Sequence, residues 1–199
     1  MIFHAQSDTQ SDYLRATETV NFEHPSIQQL IDSLQVAGQS DVDKARIFYE
    51  FVRDEIGHSW DEQQSTVTIS ASDVAEERTG ICYAKANLLA ALLRHEGIPS
   101  GFCYQRLMLF DTPEQGYYLH AFNALFLAKY DRWIFVDARG NVFADFSMDE
   151  PSLAFTPNES LGEKTYTTIF VEPNERTIQT LQQATNALDM YTSDLPDEL

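Results

Sequence analysis

Apolar positions in the first half of the chain recur at helical spacing. Residues 26–36 set Ile27, Leu30, Ile31 and Leu34 three or four apart, which predicts a helix that Gly38 ends. Residues 41–56 repeat the signal with Val42, Ala45, Phe48, Phe51, Val52 and Ile56; Ser40 or Asp41 would cap this helix and Gly57 would close it. Residues 58–80 have no clear period and read as an irregular loop with a helical turn near 72–78. The next helix, over 82–96, is apolar on most sides, with Leu88, Leu89, Leu92 and Leu93 among several alanines, so it belongs in the interior. Gly97-Ile98-Pro99 is its stop signal.

Beyond Pro99 the period shortens. Segments 101–110, 119–127, 132–138 and 165–171 are short and rich in aromatic and branched residues, and predict antiparallel strands. Pro173 opens a last helix over 174–190, with Ile178, Leu181 and Leu188 on one side. About a dozen N-terminal residues and the acidic tail at 191–199 read as loosely ordered. Helices followed by strands indicate an α+β fold, helices packed on an antiparallel sheet, in a single domain over 1–199.

Composition narrows the partners. Thirteen Lys and Arg against 31 Asp and Glu give a net charge of −18, a field that repels phosphate backbones and anionic membranes. Neither nucleic acid nor a membrane is expected as a partner. No apolar run reaches the ~20 residues of a membrane span, and the start MIFHAQSDTQSD has no signal-peptide pattern. Two cysteines, Cys82 and Cys103, make no disulfide framework. These features together predict a cytoplasmic location.

Cys82 stands where Gly80 turns the chain into the buried helix. A helix start offers free N–H groups and partial positive charge, which favour a reactive thiolate and can hold an oxyanion. Cys103 sits inside a strand between Phe102 and Tyr104 and reads as structural. His120 falls in one predicted strand and Asp137 in the next, with 128–131 as the turn between them. One hairpin register pairs Asp137 with Phe122, diagonal to His120; a turn centred one residue earlier sets His120 and Asp137 directly opposite. Either lets a carboxylate hold one imidazole nitrogen while the other faces a nucleophile. Taken singly, Cys82 is a small helix-start residue, His120 a core histidine and Asp137 a strand-end residue. Together they make a Cys–His–Asp set. His4, His24, His58 and His95 have no zinc spacing, Asn123 points to the face opposite His120, and Arg139-Gly140-Asn141 reads as a turn, with Asn141 able to border the site.

The segments SASDVAEERTGICYAKANLLAALLRHEGIPSGFCY, LHAFNALFL and RWIFVDARGN resemble the core of the transglutaminase-like superfamily, a branch of the papain-like fold, over about 41–142. The N-terminal helix and residues 143–199 fall outside the resemblance. It implies Cys82 as nucleophile, His120 as base and Asp137 as its orienter. The implied chemistry is acyl transfer or hydrolysis at a glutamine carboxamide or peptide amide through a Cys82 thioester. The implied partners are a protein or peptide substrate and, for transamidation, a primary amine. Relatives often use an upstream tryptophan to assist the oxyanion, and Trp60 is the candidate here; Phe122 stands where several have tryptophan. No calcium loop is visible, and no metal or cofactor is expected. The alternative is a non-catalytic peptide- or partner-binding domain of the same fold.

Overall fold

Side-chain caps start four helices in the computed structural model, which describes residues 2–140 and 144–199. His24 caps α1 (Pro25–Leu34), Ser40 caps α2 (Asp41–Glu55) and Ser70 caps α3 (Ala71–Glu77), the last with Asp73 in a reciprocal capping box. Helix α4 (Cys82–His95) has no side-chain cap. Asn174 caps α5 (Glu175–Gln183), and a short α6 (Met190–Ser193) follows. Helix α1 ends earlier than Gly38, because Gln35 takes the left-handed conformation at φ 52°.

Every residue of α4 from Cys82 to Arg94 is buried. The helix packs on α2 and α3 and against the main sheet, so apolar neighbours surround it, as its composition predicts.

Two short pairings and one sheet complete the fold. Strand β1 (His4–Ala5) pairs in parallel with β8 (Thr168–Ile169), and β2 (Gly57–His58) pairs in parallel with β3 (Thr79–Gly80). The main sheet is antiparallel, in the order β6 (Arg132–Val136), β5 (Tyr117–Leu127), β4 (Ser100–Met108), β7 (Lys164–Thr165). Leu119, Ala121, Leu125 and Leu127 of β5 join the core with α4, while Phe122 and Ala124 face a second cluster containing Tyr13, Cys103 and Ile169. Alternation along the strand thus places one core on each side of the sheet.

Several expectations need correction. The N-terminus is not loose: Tyr13 is fully buried and its hydroxyl donates to Ile169 O at 3.0 Å. The 165–171 strand divides between two sheets as β7 and β8. The 174–190 helix breaks after Gln183, where Ala184 turns extended. Beyond the break Ala187 N bonds Ser65 O and Leu188 N bonds Asn186 Oδ1, so these amides leave the helical ladder. The tail is docked: Pro196 O accepts from Leu119 N at 2.7 Å, and Glu198 meets Arg106 and Lys164. Asn141 lies outside the described residues.

Arg94, buried near the end of α4, donates to Ser100 O, Arg15 O and Val171 O at 2.5–3.1 Å. Burial lowers its pKa to about 10. One guanidinium thereby joins α4, β4, the N-terminal segment and the chain after β8. Arg94→Met is expected to leave three acceptors without their donor and to lower unfolding free energy by about 3 kcal/mol or more in urea titrations.

Candidate active site

The open edge of β5 creates the site. Pairing with β6 ends at Asn123 and Val136. The same register carried one residue further sets Asp137 opposite Phe122, the diagonal arrangement expected for His120. The imidazole Nε2 donates to Asp137 Oδ2 at 2.8 Å. Asp137 also accepts from Ala154 N at 3.0 Å and Arg139 N at 3.2 Å. His120 Nδ1 is then the ring nitrogen left for a nucleophile, and Cys82 lies close enough to the imidazole to favour its charged form.

Cys82 is delivered by two constraints. Pairing of β3 with β2 fixes Thr79 and Gly80 just ahead of the helix. A Cβ at Gly80 would come within 2.9 Å of Thr68 Oγ1 and 3.1 Å of Ala84 Cβ, so the close approach requires glycine. Tyr83 adds a third link, its hydroxyl donating to Leu119 O at 2.7 Å. The residue after Cys82 is thus tied to the residue before His120. Helix α4 is the one helix of seven or more described residues without a side-chain cap, which leaves its first N–H groups beside the thiol for a ligand.

The three groups are enclosed, with Cys82 5%, His120 1% and Asp137 0% exposed. Burial pushes the imidazole toward neutrality. The Asp137 charge and hydrogen bond, with help from Cys82, more than reverse this and raise its pKa to about 10. Burial raises the Asp137 carboxyl, but His120 and the Ala154 and Arg139 amides hold it below the ordinary value. The result is an imidazolium–carboxylate pair. Phe155 packs edge-on against the His120 ring, centroids 5.0 Å apart.

A cleft of about 250 Å³ opens on the far side of Phe155 and Arg139, which touch His120 and Asp137. Trp60, Phe110, Tyr118, Arg139, Phe155 and Tyr191 line it. Arg139, Tyr118 and Tyr191 lie within electrostatic reach of Cys82. A larger cavity, about 410 Å³ between Phe3, Trp133, Phe135 and Met148, shares no residue with it; chemistry, not size, marks the smaller one. Trp60 is a wall of the cleft, its ring packed at a tilt against Tyr191 at 4.6 Å and Phe110 at 5.2 Å.

Asn123 faces away from His120, as expected, and its amide donates to Ala86 O and Gly101 O. Cys103 is fully buried beside Phe122. Among the described residues no cluster of three His, Cys, Asp or Glu could hold a metal ion. Tyr83, Ala154, Phe155, Arg139 and Tyr191 escape a reading of the sequence as site residues; only Tyr83, next to Cys82, carries a positional signal.

Comparison with known families covers the part of the chain that holds Cys82, His120 and Asp137. The family model described as the transglutaminase-like superfamily matches residues 28–138, more than half of the chain. The chain belongs to the transglutaminase-like superfamily. Among solved structures it is similar to a candidate cysteine protease from Cytophaga hutchinsonii, with TM-score 0.54 and 18% identity, covering 67% of this chain and 43% of that one. It is also similar to the periplasmic domain of TgpA from Pseudomonas aeruginosa, with TM-score 0.48, 20% identity and coverages of 65% and 46%. The chain spans less than half the length of either. No curated protein matches it. The first structure supports the superfamily's mixed fold of helices and antiparallel sheet. No described helix is long and apolar enough to cross a membrane.

Proposed function

We propose that this superfamily member performs thiol-dependent acyl transfer or hydrolysis at a carboxamide or peptide amide. The observation that carries the proposal is the buried His120–Asp137 hydrogen bond of 2.8 Å, with Cys82 within interaction range of the same imidazole. Cys82 sulfur attacks the carbonyl carbon, and the oxygen takes the negative charge against the free N–H groups of α4. His120 gives its proton to the amide nitrogen as the C–N bond breaks and the amine leaves. The thioester then passes its acyl group to water or to a primary amine, with His120 accepting the proton of the incoming nucleophile. Asp137 keeps the ring oriented throughout. The substrate on this reading is a protein or peptide, and Trp60 serves as a cleft wall.

Iodoacetamide with peptide mass mapping tests the reading. Cys82 is expected to be carbamidomethylated at neutral pH while buried Cys103 is not, and His120→Ala should slow the reaction by about tenfold or more. A second reading, a binding domain without turnover, is favoured by one observation, the 5% exposure of Cys82. Failure of iodoacetamide to reach Cys82 in the folded protein would establish that reading instead.

A further inference from the structure

The cleft that Phe155 and Arg139 join to the His120–Asp137 pair has properties that the acyl-transfer reading does not use. Five aromatic residues, Trp60, Phe110, Tyr118, Phe155 and Tyr191, line it together with Leu107, Met108 and Leu109. The charged groups are already matched or lie in water. Arg139 holds both oxygens of Asp61 at 2.8 and 3.0 Å. Glu163 accepts from Met108 N and Asn158 N at 2.8 and 2.7 Å. Asp111 at the mouth is exposed. An anionic occupant would meet Asp111 and Glu163, and the Phe155 ring face already carries the Arg139 guanidinium at 5.7 Å. Charge excludes an anion, and the aromatic and aliphatic walls favour an apolar occupant.

Size selects how much of one. About 250 Å³ falls below the roughly 300–1,000 Å³ of sites that enclose a whole drug-sized ligand, and suits a single large side chain. The lip of the cleft is unusual. Phe110 is 48% exposed yet packs on Trp60, and its backbone sits at φ 53°, ψ 34°, followed by Asp111 at φ 58°. Left-handed conformations are uncommon for such a residue; here the turn brings its ring to the cleft mouth.

Resting on the acyl-transfer reading, we propose that this cleft is a specificity subsite. It takes one large apolar side chain, aromatic or leucine-like, on the acyl side of the attacked amide. The acyl part stays bound through both steps, so a walled pocket serves it better than the departing amine. Phe110 is the determinant at the mouth.

Peptide aldehydes, which add reversibly to a thiol, test the proposal. The series carries Phe, Leu, Ala, Lys or Asp at the residue next to the aldehyde-bearing one, and the readout is protection of Cys82 from iodoacetamide in the full chain. Phe and Leu should protect at concentrations at least about tenfold lower than Ala, Lys or Asp. Phe110→Ala should erase that preference and Phe110→Tyr should keep it. If iodoacetamide labels Cys82 but the aldehydes protect equally, or Lys or Asp is preferred, the subsite is refuted and the thiol chemistry stands. A preference untouched by Phe110→Ala refutes the role of Phe110. If Cys82 does not react with iodoacetamide at all, the acyl-transfer reading fails and the subsite falls with it.

Discussion

Cys82→Ala is expected to abolish turnover of any amide substrate, by roughly 10⁴-fold or more, while the protein stays folded. The proposed reaction runs through a covalent bond to sulfur, and an alanine side chain cannot form it. The loss of stability should be small, about 1 kcal/mol, because the change removes one atom at a helix start and adds no volume. Progress curves on a peptide substrate, with circular dichroism as control, check both halves. Full activity in a folded Cys82→Ala protein would end the thioester mechanism.

Asp137→Asn carries the second large effect. The side chain keeps its shape but loses the charge that holds His120 as an imidazolium. By analogy with other nucleophile–histidine–aspartate sets, kcat should drop by about 10³- to 10⁴-fold. Proton NMR supplies an independent readout. In the wild-type protein the His120 ring should stay protonated through neutral pH and titrate near 10. In Asp137→Asn its pKa should fall sharply, since burial then acts with little opposition. Stability should follow. The raised His120 pKa contributes stabilisation that is complete below its unfolded value near ~6.5 and is lost as pH rises through about 10. The lowered Asp137 pKa contributes stabilisation present above ~3.9 and lost as pH falls below it. The stability difference between wild type and Asp137→Asn should therefore peak near pH 5–6 and shrink toward pH 10. Lys85, which burial lowers to about 8, acts oppositely at alkaline pH, but it is common to both proteins and largely cancels in the comparison.

The candidate triad is legible in the sequence because each member leaves a local trace. Cys82 follows a glycine at a helix start, and the four-residue turn at 128–131 sets the register to within one residue. The surroundings are not legible, because distant pieces of chain make them. Ala154 and Phe155 come from a stretch without period, yet one holds Asp137 and the other covers the His120 ring. Strand β1 is two residues long and pairs with a segment more than 160 residues away, beyond any periodicity. The 174–190 pattern keeps its apolar spacing past Gln183, but bonds from residues 187 and 188 to Ser65 and Asn186 outcompete the helix. The resemblance offers Trp60 as an oxyanion aid, whereas its ring packs at a tilt against Tyr191 and Phe110.

Both main-chain groups of Leu119 are occupied, the carbonyl by the Tyr83 hydroxyl and the amide by Pro196 O. Strand β5 would otherwise present an unpaired edge just where His120 stands, and such edges recruit extended peptides or other copies of the chain. A substrate therefore cannot join the sheet as an added strand at Leu119 while residues 195–199 are docked. It must be held by side-chain pockets, or it must first displace the protein's own segment from that edge.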